Sequence, residues 1–327
     1  MPKLRAPRPR RPDRPSRRAT PGPARIVVLG DLLLDVVLAP TRDLERGTDV
    51  PGHVSLVQGG SAANAARWLG RLGARTTLIA AVGRDAVGRA LVDAVRGDGV
   101  QMRAVRVAGA RTGRIGVVVS PDGERTFVAD RGAALLLRPE DLRAQWFTRA
   151  EGLHLPIYSF LGEPVGGAAR RAVSMARDAG AFVSIDLASV GPLLELGRPA
   201  AVTLIEEVAP DLIFTTAAEA QALLGGSSIE SLLDLAPTAV VKRGPKGATV
   251  LAHDGDSRLR FEVATEHRVA TDTTGAGDAF DAGFLVGWFA ARSAGRSLPA
   301  ALQRAAVTGH RAAARQLSTP RPELPLA

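Results

Sequence analysis

The sequence contains no cysteine among its 327 residues. This absence excludes disulfide bonds, thiolate metal sites and cysteine nucleophiles. No run of about 18 apolar residues occurs, so the sequence predicts no helix that spans a membrane. The amino terminus is charged and proline-rich and lacks the apolar stretch of a secretory signal. We therefore expect a cytoplasmic protein that has no membrane contact.

Motifs that define several enzyme classes are also absent. There is no Gly-x-x-x-x-Gly-Lys-Ser/Thr phosphate loop, and no Gly-x-Gly-x-x-Gly follows the first apolar run. The 5 histidines have no metal-ligand spacing, and no Gly-x-Ser-x-Gly segment occurs. These absences argue against the enzyme classes that depend on these motifs.

Positive charge is concentrated at the amino terminus. Residues 1–24 hold eight lysine or arginine side chains and one aspartate, which accounts for most of the net charge of +9. A segment so rich in proline and arginine cannot build a core, so it predicts a disordered basic tail. We interpret it as a solvated extension or a start site assigned too far upstream, with contact to nucleic acid as the less favoured alternative.

Apolar runs and amphipathic segments alternate along most of the remaining chain. Residues 26–38 are apolar apart from a short interruption, which predicts a strand buried on both faces, and residues 61–72 have helical spacing. The same alternation continues beyond residue 150. It predicts an α/β fold with a mostly parallel, doubly wound sheet flanked by helices.

Two segments interrupt this pattern. Residues 40–58 carry alternation and turn residues without a helical period. Residues 104–130 contain two β-type runs around the turn Pro121-Asp-Gly123, which predicts a hairpin. We expect the two segments to form a small sheet outside the main one.

The segment from Asp272 to Asp278 carries the strongest chemical signal. Gly275, Ala276 and Gly277 form a small-residue loop that leads directly into an apolar helix. A loop of this kind points free backbone N–H groups and the positive end of the helix dipole at an anion. Asp278 follows in the first turn, where a carboxylate can accept a proton from a hydroxyl that attacks a bound phosphoryl group. We expect the dipole to keep its pKa low.

Two longer patterns lie far apart in the chain. The first is Gly59-Gly60-Ser-Ala-Ala-Asn64-Ala-Ala-Arg-Trp-Leu-Gly-Arg-Leu-Gly73, and the second is Asp272-Thr-Thr-Gly-Ala-Gly-Asp-Ala-Phe-Asp-Ala-Gly-Phe284. In this order they resemble the two signatures of the ribokinase-like (PfkB) carbohydrate kinases. The resemblance covers residues 25–320. It implies a kinase domain over residues 25–327 that uses ATP and Mg²⁺, with Asp278 as catalytic base and its loop as anion hole.

The resemblance also implies where the phosphoryl acceptor binds. Asp35, which we place at the end of the first strand, matches a carboxylate that bonds sugar hydroxyls. Gly59 and Gly60 match a turn that passes close to the sugar, and Asn64 matches a further hydroxyl-binding side chain. Arg131 is expected to bind the acceptor or to support the lid.

Metal and cation roles are implied for three residues. Glu219 matches the acid of a family Asn-x-x-Glu segment that organises Mg²⁺, and Thr216 stands where the family has Asn. Thr216 retains an oxygen, yet the departure puts the metal arrangement in doubt. Asp272 matches a position that in many members helps to hold a monovalent cation such as K⁺, or it is a structural turn residue.

The nucleotide side is implied by a loop that follows a predicted strand. Lys242, Gly244, Lys246 and Gly247 match the family's nucleotide-binding loop, and cationic side chains beside a glycine turn suit ATP phosphates. Lys246 is equally well explained as a solvated side chain. His310 is expected near the adenine, although a lone histidine is more often structural.

The two β-type segments, residues 40–58 and 104–130, resemble the family's lid over the acceptor site. Closure of such a lid excludes water and limits hydrolysis of ATP. Because the lid also forms a dimer contact in relatives, the resemblance implies a homodimer.

The leading hypothesis is transfer of the ATP γ-phosphoryl group to a primary hydroxyl of a sugar. Nucleoside kinases of the adenosine or pseudouridine type are the alternative within this class. Leu33 and Ser61 stand where ribokinases often have Asn and Lys, so ribose is not assumed. A catalytically retired regulator that binds a sugar or nucleotide is the third hypothesis. Asp278 argues against it and Thr216 weakly for it.

Overall fold

The computed structural model describes residues 22–266, 272–319 and 321–325. The predicted basic tail, residues 1–24, lies almost wholly outside the described residues, so its disorder stays a prediction. The first strand begins at Arg25.

The described part of the chain forms thirteen strands and eight α-helices. The strands are β1 (Arg25–Leu29), β2 (Leu33–Pro40), β3 (Gly52–Gly59), β4 (Arg75–Gly83), β5 (Gln101–Val107), β6 (Thr112–Val119), β7 (Arg125–Gly132), β8 (Gly152–Pro156), β9 (Phe182–Asp186), β10 (Leu212–Thr216), β11 (Thr238–Lys242), β12 (Ala248–Asp254) and β13 (Ser257–Val263). The helices are α1 (Ser61–Arg71), α2 (Ala86–Gly97), α3 (Val165–Asp178), α4 (Val190–Leu194), α5 (Arg198–Val208), α6 (Ala217–Leu224), α7 (Ala276–Ser293) and α8 (Leu298–Leu317).

Nine of these strands form the main sheet, in the order β13-β12-β11-β10-β9-β8-β1-β4-β5. All neighbours from β11 to β5 pair in parallel, and β12 and β13 add an antiparallel edge. This arrangement confirms the predicted mostly parallel sheet.

Helices cover both faces of the main sheet. In β1, Ile26 and Val28 pack with α1, α2, α7 and α8, whereas Val27 and Leu29 pack with α3 and α5. A strand buried on both faces needs apolar side chains at every position, because successive side chains point to opposite faces. Burial of β1 on both faces is the reason that its residues form a continuous apolar run in the sequence. None of the described helices has the length and apolar character needed to cross a membrane.

A second sheet of four strands lies outside the main one, in the order β3-β2-β6-β7. We call it the lid sheet. Its strands differ from the expected segments: residues 33–40 belong to it, whereas residues 101–107 are β5 of the main sheet. The apolar run at residues 26–38 is therefore two strands in two sheets, and an apolar run alone does not show where one strand ends. Asp35 consequently lies in β2 and not, as expected, at the end of the first strand.

Candidate active site

A cleft of about 910 Å³ lies between the lid sheet, the carboxyl ends of the central strands and helices α7 and α8. Alternation along the lid strands directs one set of side chains into this cleft, including Leu33, Asp35, Ile115, Phe127 and Ala129. A crevice at the carboxyl ends of parallel strands is the usual place for a ligand in an open α/β sheet.

The glycine loop opens helix α7 as the sequence predicts. Gly275 adopts a left-handed conformation (φ 75°) at the residue before the helix, which glycine does without a steric cost. Helix α7 starts at Ala276, so the N–H groups of its first turn have few partners within the helix. Gly275, Ala276 and Gly277 all line the cleft. The free N–H groups of this turn are able to bind an anion at this end of the cleft, which we call the anion site.

Asp278 joins the two sequence motifs. Its Oδ1 accepts a hydrogen bond from Ser61 Oγ at 2.6 Å, and its Oδ2 accepts one from Asn64 Nδ2 at 2.9 Å. Both donors lie on α1, more than two hundred positions earlier in the chain. The motifs are therefore two parts of one site, and Asn64 contacts the carboxylate of Asp278 directly.

The environment of Asp278 differs from the expectation that the helix dipole keeps its pKa low. Burial raises the pKa of Asp278 to about 6, and the negative charge of Asp186 adds to this, although the hydrogen bonds from Ser61 and Asn64 act in the opposite direction. Loss of hydration outweighs the dipole here. A carboxylate of this kind is still mainly ionised at neutral pH and is a stronger base than an exposed aspartate.

A buried charge cluster lies beside the anion site. Lys242 Nζ is 3.1 Å from Asp186 Oδ1 and 3.1 Å from both carboxylate oxygens of Asp281. Burial alone would lower the pKa of Lys242, but the adjacent carboxylates outweigh it and raise the pKa above its usual value. The ammonium group is also close to the loop, since a Cβ built at Gly277 would lie 3.5 Å from it. Lys242 is thus a fixed positive charge next to the anion site.

Asp35 lies opposite, on the lid sheet, and is almost completely buried. Burial raises its pKa, although the guanidinium of Arg321 acts against this from 2.8 Å. A Cβ at Gly59 would lie 1.9 Å from Asp35 Oδ1, and a Cβ at Gly60 would lie 2.4 Å from the carbonyl oxygen of Asp31. The two glycines are therefore needed so that the backbone before α1 can pass the two aspartates.

Arg131 is held by another buried acid. Its Nε and Nη2 each donate to a carboxylate oxygen of Asp31 at 2.9 Å, and Nη2 also donates to the carbonyl oxygen of Tyr158 at 3.1 Å. This bidentate pair joins lid strand β7 to the main sheet side of the cleft. The contacts fit the expected support of the lid better than direct binding of an acceptor.

Thr216 and Glu219 form a capping box at the start of α6. Thr216 Oγ1 accepts from the N–H of Glu219 at 3.2 Å, and Glu219 Oε2 accepts from the N–H of Thr216 at 2.8 Å. Threonine and asparagine both serve well as helix N-caps, which explains why Thr216 is tolerated where the family pattern has Asn. Both residues line the cleft, and burial together with the charge of Asp186 raises the pKa of Glu219.

The expected nucleotide loop is only partly in the cleft. Gly244 and Gly247 line it, whereas Lys246 is exposed and lies outside its lining. A Cβ at Gly247 would lie 2.2 Å from the carbonyl oxygen of Val263, which explains the glycine. His310 also lines the cleft, and its Nε2 is 3.1 Å from the carbonyl oxygen of Val263.

Several residues in the cleft or beside it were not predicted from the sequence. Asp186 was detectable as an acid directly after an apolar strand, and Asp281 as an acid three positions after Asp278 on the same helix face. Ser61 lies inside the first motif, where the sequence alone shows only a difference from ribokinases. Arg125 and Arg321 had no recognisable sequence signal.

The family model described as "pfkB family carbohydrate kinase" matches residues 23–322. The chain belongs to this family. It is 30% identical over 267 residues to probable fructokinase-3 of Arabidopsis thaliana, which covers 78% of this chain and 75% of that protein. It is 32% identical to fructokinase-1 of Oryza sativa subsp. japonica, in an alignment that covers 78% of this chain and 80% of that protein.

Solved structures share the fold of this pfkB member. The adenosine kinase of Sinorhizobium meliloti superposes with a TM-score of 0.77 at 24% identity and covers 93% of this chain and 97% of its own. A fructokinase double mutant from Vibrio cholerae O395, in a form with bound fructose, ADP and potassium ion, has a TM-score of 0.75 at 24% identity. The superposition covers 92% of this chain and 94% of that chain. Family membership and the fructokinase relatives make the chain an ATP-dependent sugar kinase.

Proposed function

We propose that this kinase transfers the γ-phosphoryl group of ATP to a primary hydroxyl of a sugar, with Asp278 as the catalytic base. One observation carries the proposal. The carboxylate of Asp278 lies at the helix N-terminus that forms the anion site, and it is bonded to Ser61 and Asn64 of the acceptor motif. A base in this position touches both the attacking hydroxyl and the region where the phosphoryl group must lie.

The remaining groups have complementary roles. The amides of Gly275, Ala276 and Gly277 stabilise negative charge on the transferred phosphoryl group, and the ammonium of Lys242 adds a fixed positive charge beside them. On the other side, Asp35 accepts hydrogen bonds from sugar hydroxyls. The lid sheet excludes water, which would otherwise compete with the sugar for the phosphoryl group.

Magnesium fits the donors that are present. Among the described residues, no group of three or more His, Asp or Glu side chains forms a ready-made metal site. Glu219 and Asp186 nevertheless offer hard carboxylate oxygens at the cleft, and this suits an ion that arrives with the nucleotide and keeps several waters. When bound, Mg²⁺ neutralises charge on the ATP phosphates. Glu219 and Asp186 would orient its waters, with Thr216 fixing Glu219.

Fructose is the first acceptor to test, because the curated relatives reported above are named fructokinases. Nucleosides are not favoured, since the curated relatives are fructokinases and the adenosine kinase shares only the fold. A retired regulator is not favoured, because Asp278 and its loop are intact. A panel of hexoses, pentoses, sugar acids and nucleosides should be compared in one assay of ADP release.

The test combines this panel with Asp278→Asn. The amide keeps the shape and accepts one hydrogen bond but cannot take a proton, so kcat should fall by about 10²–10⁴-fold. Sugar affinity, measured by calorimetry, should change little. The matched control is Asp93→Asn on the exposed face of α2, which should behave as the wild type. Full activity of Asp278→Asn contradicts the proposal. So does a wild type that releases no ADP with any member of the panel.

We also propose a cytoplasmic homodimer joined through the lid sheet. The face of this sheet that points away from the cleft exposes Leu38, Val54 and Val128. Apolar side chains clustered in this way favour burial against a second copy. Sedimentation of Val128→Asp should show a shift from dimer to monomer, and a monomeric wild type would refute the dimer.

A further inference from the structure

Asp272 was expected either to help hold a monovalent cation or to be a structural turn residue, and the oxygens of its side chain already have partners. Oδ1 forms an ion pair with Arg125 Nη2 at 3.0 Å and accepts a hydrogen bond from the backbone N–H of Thr274 at 2.8 Å. Oδ2 accepts from Arg321 Nε at 3.3 Å. A cation bound to this carboxylate would have to approach two guanidinium groups, which repel it. The Asp272 carboxylate does not fit a cation ligand in this structure.

Arg321 has a second partner, on lid strand β2. Its Nη1 donates to Asp35 Oδ2 at 2.8 Å. One guanidinium therefore bridges the carboxylate of Asp35 and that of Asp272, which begins the segment 272–278 that we call the anion loop. Only 12% of the Arg321 side chain is exposed. A planar fork with several fixed donors can span two carboxylates in this way, whereas a compact ion cannot donate hydrogen bonds.

The position of Arg321 is fixed by the segment that carries it. Residues 321–325 follow α8 and attach to lid strand β3: the N–H of Leu324 donates to the carbonyl oxygen of Leu56 at 2.7 Å, and Val57 forms an antiparallel bridge with Glu323. The side chain of Leu324 is buried in the main core. The guanidinium is therefore held by backbone pairing as well as by its two carboxylates.

Charges in this part of the site also balance. Asp35 and Asp272 bring two negative charges, and Arg321 and Arg125 bring two positive ones. The Arg125 side chain is only 15% exposed, so it is a built-in part of the site and not a mobile surface group. Among the described residues, these two carboxylates and two guanidinium groups cancel, so they offer no net negative charge to a further cation.

We infer that Arg321 takes the place of a monovalent cation, so that this kinase works without K⁺ and uses the guanidinium to position Asp35 and the anion loop relative to each other. The inference rests on the proposed function for its kinetic consequence. Arg321 is a positioning residue, since its contacts are with other side chains of the site.

The first experiment is a titration of the full-length wild type. KCl replaces tetramethylammonium chloride at constant ionic strength, up to about 100 mM, so that screening does not change. We expect kcat and KM for the sugar to stay within about twofold, because the carboxylates are already paired. Thermal melting in the two salts, which needs no activity, should coincide. Activation or stabilisation of the wild type by K⁺ beyond this range overturns the inference.

The second experiment uses Arg321→Ala, which leaves Asp35 and Asp272 short of a positive partner. Its KM for the sugar should rise by about tenfold, since the guanidinium no longer holds Asp35 in position, and its melting temperature should fall because a buried carboxylate has lost its partner. K⁺ should now restore part of the loss and raise the melting temperature, whereas Na⁺ and tetramethylammonium should do so less. A variant that folds but shows no response to K⁺ argues that Arg321 does not stand in a cation's place.

Two further variants keep the inference testable. Arg321→Lys retains the charge without the fork and should lie between wild type and Arg321→Ala in its KM for the sugar. Arg304→Ser, on the exposed side of α8, is the matched control and should show no response to K⁺. If Arg321→Ala does not fold, the K⁺ titration of the wild type and the KM of Arg321→Lys for the sugar still test the inference. If no sugar is phosphorylated, the proposed function fails while the melting curves still test the role of Arg321.

Discussion

The two sides of the cleft are built in different ways. The anion-loop side comes largely from one segment, residues 272–281, whose loop, base and buried acid follow one another along α7. The acceptor side is assembled by pairing between distant residues: Asp31 with Arg131, and Asp35 with Arg321. Local sequence therefore determines the chemistry, whereas tertiary pairing shapes the pocket that receives the sugar. Changes on the first side should alter turnover or folding, and changes on the second should alter affinity.

Lys242→Met tests the anion-loop side and should have the largest effect. Methionine has a similar length but no charge, so Asp186 and Asp281 would lose their shared cation. Breaking a buried ion pair by removing one partner costs about 3–5 kcal/mol, and we expect a loss of this size in the free energy of unfolding, measured with urea. Turnover should fall as well.

The matched control is Lys246→Met, four positions later on the exposed turn after β11. Because Lys246 lies outside the lining of the cleft, its loss should leave both stability and the KM for ATP nearly unchanged. If the two lysine variants lose equal stability and turnover, the buried ion pairs of Lys242 contribute no more than an exposed lysine does.

Asp35→Asn tests the acceptor side and should have a smaller effect. A hydrogen bond to a charged group is worth about 1.5–3 kcal/mol, so the KM for the sugar should rise by about ten- to a hundredfold. The kcat at saturating sugar should change much less, because Asp278 and its loop are untouched. A drop confined to kcat would show that Asp35 belongs functionally with the anion-loop side, and the proposed division would then be wrong.

The contrast also explains what the sequence could predict. The Gly275–Gly277 loop and Asp278 were found because their chemistry depends on consecutive residues at a helix start. The parallel sheet was found because buried strands leave continuous apolar runs and their helices alternate with them. In both cases the physical cause acts over a few neighbouring positions.

Other features depend on distant neighbours, which the sequence does not show. The pKa of Asp278 was expected to be low from its helix position, yet burial by the folded cleft raises it. The apolar run at residues 26–38 was predicted as one strand, because its pattern does not reveal that the chain changes sheets after Leu29. Arg321 has no periodicity or motif that marks it. By contrast, the capping pattern of Thr216 and Glu219 was readable and would have explained the substitution of Asn.

The attachment of residues 321–325 to β3 has a consequence for how the protein is made. Asp35 leaves the ribosome 286 positions before Arg321 does. At bacterial-to-eukaryotic elongation rates this delay is roughly 15 to 60 s. Throughout that time the nascent lid sheet carries an aspartate whose guanidinium partner has not yet been synthesised. The sugar pocket is therefore completed only when residues 321–325 have been synthesised, long after the strands of the lid sheet have emerged.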